Sequence, residues 1–308
     1  GVSEKGIHGK ITSSSLRAVS WKWPDRSAVG PLAHHSFLTI GSSSLWVAGD
    51  LDGDPKLELL ADPDFLFSLP HCEIVKDQRK IKVGRVPLEI GGKVKGIYLK
   101  RYNVFSWRYR LGSPFVPSPA SRSWAGAEIL ERSGFRTGRP IAAVECRSWG
   151  TVTKSFYLSE EIAGGRTVDV YWREELILVR GSEGICRRLN FLEGLATLFR
   201  SLHERNIYHN DLKDANILVC PGDGFREEFY LLDLEGIRRC RRVSRRRQIK
   251  NLVQLNRTMG KLLRNTEKLY WLKVYLGAVF GDRGERKKWI RRVLEESDRR
   301  DWRSLRKR

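Results

Sequence analysis

The sequence predicts an α+β fold in which a smaller strand-rich part precedes a larger helical part. Three observations carry that prediction. Residues 71–162 break into apolar runs of strand length with period-two alternation. From about residue 189 the apolar side chains instead fall three or four residues apart, as on one face of a helix. The stretch Tyr208–Gly236 interrupts the helical region with a loop, two short strands and a turn. At 308 residues the chain can bury a large core and hold two lobes.

In chain order, residues 1–55 are rich in Ser and Gly, with isolated aromatics at Trp21, Trp23 and Trp46, and read as an irregular or weakly β extension. Leu57–Ser68 has the makings of a short helix that Pro63 interrupts. Strands are expected at Cys72–Val75, Ile81–Ile90 and Gly96–Tyr102, the last reading GIYLKRY and placing Lys100 in an apolar strand. A connection bearing Pro and Ser over residues 103–121 leads to a helix from Ser123 to Ser133, which carries Glu128 and Glu131. Two further strands follow, IAAVECRSW and TVTKSFYLSEEI, over residues 141–162. A helix with Leu189, Leu192, Leu195, Phe199 and Leu202 on one face then runs into the central stretch.

That stretch, YHNDLKDANILVCPGDGFREEFYLLDLEG, sets His209, Asp211 and Asn216 at the spacing H-x-D-L-x-x-x-N and ends its second strand in Asp233. The spacing is that of a kinase catalytic loop followed by a metal-binding aspartate. A hydroxyl nucleophile needs a carboxylate within hydrogen-bond reach to orient it and take its proton, which points to Asp211. A triphosphate needs a hard divalent cation, and the Asn216 amide and Asp233 carboxylate offer oxygen ligands for Mg²⁺. Lys213 can place positive charge beside the phosphoryl group in transfer. In such an enzyme a lysine on the third strand pairs with the ATP phosphates, a role Lys100 fits. No G-x-G-x-x-G precedes it, and Gly84, Gly91 and Gly92 are the nearest candidates for a loop over the phosphates. The chain crosses between lobes near Ser159–Ile162, where backbone groups would meet the adenine. The basic run RRCRRVSRRR at 238–247 is followed by no Ala-Pro-Glu signature, so a protein-kinase activation segment is not visible.

Charge is polarised. The chain carries +21 net, and residues 236–308 hold 25 Lys and Arg against 7 Asp and Glu. Such a field attracts polyanions: nucleic acid, anionic lipid or a phosphorylated glycolipid. The last segment, Glu285–Arg308, sets Trp289, Ile290, Val293, Leu294, Trp302 and Leu305 among 11 Lys and Arg. That pattern suits a basic amphipathic helix at a membrane surface, and equally a helix packed on the domain with a solvated basic face. No apolar run approaches the roughly 18 residues of a spanning helix, and GVSEKGIHGK lacks the apolar centre of a secretory signal. Five scattered cysteines form no C-x-x-C pair and suit a reducing compartment, so a cytoplasmic protein is expected.

With Lys100, Asp211, Asn216 and Asp233 in hand, the chain resembles the bacterial lipopolysaccharide kinase family over roughly residues 70–275. The similarity rests on SRSWAGAEILERSGFRTGRPIAAVE (121–145), SFYLSEEIAGG (155–165), NIYHNDLKDANILV, YLLDLEG and KNLVQLNRT (250–258). The register of the first segment selects Glu128 as the helix carboxylate that would hold the Lys100 ammonium. In the last, Asn251 stands where the family usually has an acidic residue. The resemblance implies a bilobal protein-kinase-like fold, with an N-terminal extension (1–55), an N-lobe (56–160) and a C-lobe (161–308). It implies ATP and Mg²⁺ as cofactors and phosphorylation of heptose or 3-deoxy-D-manno-octulosonic acid in the lipopolysaccharide inner core. The enzyme would be cytoplasmic and peripherally associated with the inner membrane, its basic region meeting the core glycolipid and anionic inner-leaflet lipid. Two other readings stay open: an atypical kinase of the RIO type with an RNA-binding basic surface, and an inactive kinase-like scaffold.

Overall fold

A computed structural model describes residues 35–51, 60–90, 92–103, 116–149, 151–222 and 226–306. Its first half is built on one antiparallel sheet. The strands are β1 (His35–Ile40), β2 (Ser43–Ala48), β3 (Glu73–Gln78), β4 (Ile81–Ile90) and β5 (Lys93–Asn103), with β7 (Pro140–Ser148) and β8 (Thr151–Glu160) following the two-residue β6 (Arg136–Thr137). Their order across the sheet is β1-β2-β7-β8-β5-β4-β3. Strand β7 lies inside the sheet and is buried from Pro140 to Cys146, which is why IAAVEC reads as a continuous run rather than an alternating one. Strand β3, at the edge, is exposed throughout and carries Lys76 and Asp77, charges that discourage pairing with another chain.

The sheet begins earlier in the chain than composition suggests. Residues 35–48 form a hairpin whose Ser43–Val47 pairs with Ala142–Cys146, so this part of the expected extension is sheet. Leu45 and Val47 face inward and Trp46 outward, but Ser and Gly on either side hide so short an alternation from a compositional reading. Trp21 and Trp23 lie outside the described residues. Of the helix expected over Leu57–Ser68, residues 57–59 lie outside the described residues; Pro63 opens a 3₁₀ turn, Pro63–Ser68, capped by Asp62. That turn covers the face of the sheet opposite the cleft. A Cβ on Gly84 would stand 3.0 Å from the Phe67 ring and from Cys72 Sγ, so glycine at 84 admits this cover rather than a phosphate.

Helix α1 (Pro119–Arg132) starts four residues before the predicted Ser123. Ser118 is its N-cap, accepting from Ser121 N–H at 3.0 Å, and Pro119 occupies the first turn, where its missing N–H costs nothing. The second half is helical, built on α2 (Gly181–Glu204), α3 (Arg245–Arg257), α4 (Asn265–Leu276) and α5 (Arg283–Leu305). Leu192, Leu195, Phe199 and Leu202 of α2 are fully buried, as their spacing predicts, whereas Leu189 is only half-buried and Phe191 takes the buried place at that end. Trp271 of α4 meets Phe199 edge-on at 5.3 Å and stacks on Tyr275 at 5.4 Å. The sequence between α2 and α3 supplies β10 (Ile207–His209), the hairpin β11 (Ile217–Pro221) and β12 (Glu227–Leu231), and β13 (Ile237–Arg239), which pairs with β10. The hairpin is flanked by β6 and by β9 (Arg166–Thr167), so segments leaving α1 and β8 are stitched to it.

Helix α5 settles against α3. Trp289 is buried under the Arg245 guanidinium, Asn256 donates to Ser297 at 3.0 Å, and Arg257 pairs with Asp301 at 2.7 Å. Its distal end leaves Trp302 and Leu305 exposed. The packed reading of this segment therefore holds for most of its length. Among the described residues no helix is long and apolar enough to cross a membrane.

Candidate active site

The cleft between sheet and helices is a cavity of about 330 Å³, and β5, β8, α1 and the β12 end all reach it. Pleating puts Tyr98, Lys100 and Tyr102 on the cleft side of β5, while Ile97 and Leu99 go into the core behind. The Lys100 ammonium meets Asp233 Oδ1 at 2.6 Å, joining two residues 133 positions apart. Burial opposes charge on both groups, but the pairing prevails: Lys100 is pushed above, and Asp233 held below, their ordinary pKa ranges. Asp233 has a left-handed backbone, φ 57° and ψ 55°, a conformation aspartate tolerates better than most residues and one that turns its carboxylate off the strand axis into the cleft.

The helix side of the lysine differs from expectation. Lys100 lies over the Tyr102 ring, whose hydroxyl is 3.0 Å from Ser123 Oγ on α1. Ser123, not Glu128, is thus on the helix face toward the lysine. Glu128 is five residues on, about 140° around the helix from Ser123, where it accepts from the Trp124 indole at 3.3 Å and lies 4.0 Å from Arg132. The carboxylates acting on the Lys100 charge are Asp233 and Glu235. Glu131, two turns beyond Ser123, is pushed up to about 7 by burial, with Arg139 opposing and Glu128 adding to the rise.

The loop Asn210–Asn216 is held by its own polar groups. His209 is buried; its Nε2 donates to Leu232 O at 2.8 Å, and its Nδ1 accepts from the Asp211 N–H at 3.1 Å. Burial keeps the ring neutral, which this one-donor, one-acceptor pattern requires. Lys213 Nζ lies 2.7 Å from Asp211 Oδ2. Asn216 Nδ2 donates to the Asp211 carbonyl at 2.7 Å and to Oδ2 at 3.1 Å, so its amide oxygen points elsewhere. Leu232 N–H donates to Asn216 O, tying this loop to the segment that carries Asp233.

The crossing Ser159–Ile162 lines the cavity together with Gly164, Gly165 and Leu218. Three ion pairs pin it: Lys95 and Arg139 on Glu160 at 2.6 and 2.7 Å, and Arg85 on Glu161 at 2.8 Å. A Cβ on Gly96 would collide with the Glu161 carboxylate, so glycine there lets β5 pass close to the crossing. No described glycine forms a loop over the lysine. Gly92 is in the turn before β5, Gly84 is inside β4, and Gly91 is outside the described residues. The turn joining β3 and β4 is Arg79–Lys80, bonded to Asn103 at the far end of β5.

The structure therefore brings Lys100 to Asp233, and Asp211 to Lys213 and Asn216, while Glu128 faces its own helix. Glu235 and Gln254, which donates to Asp211 Oδ1 at 2.9 Å, escape a reading of the sequence. Gln254 carries one legible signal: it is one helical turn from Asn251, whose polarity is itself out of place in an apolar run.

No curated protein matches the chain. The solved structure of WaaP in complex with acyl carrier protein is similar in fold, with a TM-score of 0.54 at 19% identity over 79% of this chain and 96% of that one. The model of the lipopolysaccharide kinase (Kdo/WaaP) family matches residues 92–275. That span is more than half of the chain and includes Lys100, Asp211, Asn216 and Asp233, and the protein belongs to the lipopolysaccharide kinase (Kdo/WaaP) family.

Proposed function

We propose that this kinase transfers the γ-phosphoryl group of ATP to a hydroxyl of heptose or 3-deoxy-D-manno-octulosonic acid in the lipopolysaccharide inner core, at the cytoplasmic face of the membrane. The observation that carries the reading is the 2.6 Å contact of Lys100 with Asp233, which brings a strand cation and a strand-end carboxylate together at the cleft. Asp211 orients the acceptor hydroxyl and takes its proton as the new O–P bond forms and the bond to the leaving diphosphate breaks. Lys213, beside it, offsets charge on the phosphoryl oxygens. Lys100 receives the nucleotide phosphates, and Glu235 adds a weaker electrostatic pull on its ammonium than Asp233 does.

Mg²⁺ fits the donor set. Asp233 supplies an ionised carboxylate and Asn216 an amide oxygen turned away from Asp211, and Mg²⁺ takes few protein ligands when a triphosphate supplies others. When bound, the ion neutralises phosphate charge.

A basic surface starts one residue from the proposed base. Lys250 Nζ is 2.8 Å from Asn210 Oδ1, and both Lys250 and Arg247 lie over the Tyr208 ring. Arg238, Arg239, Arg241, Arg242 and Arg246 are exposed nearby in sequence. This supports an acceptor that is itself anionic and lies on a membrane. Label transfer from ATP, with core glycolipid, protein and RNA–protein complex offered side by side, tests the assignment. Label is expected in the glycolipid alone, and product analysis would identify the sugar. An Asp211→Ala variant that transferred phosphate at the wild-type rate would sink the proposed chemistry.

A further inference from the structure

Asp211 is held from two sides. Its Oδ2 accepts from Lys213 and Asn216, both within its own loop. Its Oδ1 accepts from Gln254 Nε2 at 2.9 Å, a side chain on α3 and 43 positions away. Gln254 Nε2 also donates to the Asn210 carbonyl at 3.0 Å, which uses both of its hydrogens.

What aims the Gln254 amide lies deeper. Its Oε1 accepts from Asn251 Nδ2 at 2.8 Å, and the second hydrogen of Asn251 goes to the His209 carbonyl at 2.8 Å. Asn251 is completely buried. Its Oδ1 is 3.0 Å from His203 Nε2, and His203 Nδ1 is 2.9 Å from the Tyr275 hydroxyl. One assignment satisfies every group. The carboxylate requires a donor from Gln254, so Oε1 of Gln254 accepts from Asn251. Asn251 then donates twice and accepts from a protonated His203 Nε2, leaving His203 Nδ1 to accept from Tyr275. Burial keeps the ring in this neutral, one-donor form by pushing His203 down to about 4.

We propose that Gln254 is a positioning residue for the phosphoryl transfer, fixing the Asp211 carboxylate, and that buried Asn251 and His203 lock the Gln254 amide in the orientation this needs. The proposal rests on Asp211 being the base. It accounts for asparagine where the family resemblance leads one to expect an acid. A carboxylate at 251 has no hydrogen for the His209 carbonyl or for Gln254 Oε1. It would attract Gln254 Nε2 and turn the amide oxygen toward Asp211. Asn251 and Gln254 work only as a pair.

The test uses the full chain with labelled ATP and dephosphorylated lipopolysaccharide core as acceptor, following kcat and the KM for each substrate. A charge-assisted hydrogen bond of this kind sets the scale: Gln254→Ala should lower kcat about tenfold to a hundredfold. KM for both substrates should stay within about threefold, while Tm should fall by a few degrees because buried Asn251 loses an acceptor. Gln254→Glu sets a second carboxylate against Asp211 and offers it no hydrogen, so it should lose at least as much kcat as Gln254→Ala. Asn251→Asp, checked for folding by circular dichroism, should match Gln254→Ala, and the double variant should add nothing. Wild-type kcat in Gln254→Ala, or a loss of rate that appears in KM rather than in kcat, overturns the positioning role if Asp211→Ala is inactive in the same assay. An active Asp211→Ala variant overturns the base assignment, and the proposal with it.

Discussion

The hydroxyls of Tyr102 and Ser123 are 3.0 Å apart, and both side chains are buried. This contact sets the rotation of α1 against β5, presenting a serine to the neighbourhood of Lys100 and carrying Glu128 around to Trp124 and Arg132. The lysine is held from the strand-end segment instead, by Asp233, with a weaker electrostatic pull from Glu235.

That arrangement separates two glutamates by experiment. Glu128→Gln is expected to leave KM for ATP within about twofold. Glu235→Gln should raise it by about three- to tenfold, the effect of about 1 kcal/mol of lost electrostatic support in a partly buried site. Steady-state kinetics with ATP varied decide between them, and the reverse ranking would restore Glu128 to the nucleotide site.

Gly126 lets α1 touch the segment after Asp233, because a Cβ there would collide with the Leu234 carbonyl. An alanine in a helix interior ordinarily gains about 1 kcal/mol over glycine. Here the obstacle is backbone, which cannot swing aside, and overpacking costs about 1–3 kcal/mol. Gly126→Ala should therefore lower stability, measured by urea unfolding, and reduce activity by displacing Asp233.

His203 makes stability depend on pH. Its folded-state pKa, about 4, is below the unfolded value of about 6.5, so the unfolded chain binds the proton first. The contribution is intact above about pH 6.5 and is lost as pH falls toward 4, at a cost of about 3 kcal/mol. His203→Gln keeps one donor and one acceptor but cannot titrate. Chemical denaturation at pH 7, 5.5 and 4.5 should show a smaller acid loss in that variant than in the wild type.

The far end of α5 exposes Trp302 and Leu305 beside Arg299, Arg303 and Arg306. If this end meets the membrane, Trp302→Ala with Leu305→Ser should weaken binding to vesicles containing phosphatidylglycerol by about tenfold, and 0.5 M salt should weaken it further. Sedimentation with neutral vesicles supplies the comparison. Equal binding to both vesicle types would remove the basic face from the argument.

Much of the fold was legible because local pattern and tertiary role coincide. The buried face of α2 follows from its 3.6-residue period, and β4 runs from Ile81 to Ile90 as its apolar alternation indicates. The loop residues Asp211, Lys213 and Asn216 were legible for a similar reason. They lie within six positions of one another, so spacing along the chain already restricts their distances. The β1–β2 hairpin was not, since its place in the sheet comes from pairing with β7 about a hundred residues later.

By itself the sequence determined the order of elements, the side chains able to do the chemistry and the concentration of positive charge after Gly236. Only the tertiary structure decided which of those side chains meet. The rotation of α1 chose Ser123 over Glu128, the left-handed turn at Asp233 brought its carboxylate to Lys100, and the packing of α3 carried Gln254 to Asp211. The physical reason is that hydrogen bonds and ion pairs depend on ångström-scale distance and direction. Side-chain spacing fixes these within a loop or one helix, whereas between elements they follow from how whole surfaces pack.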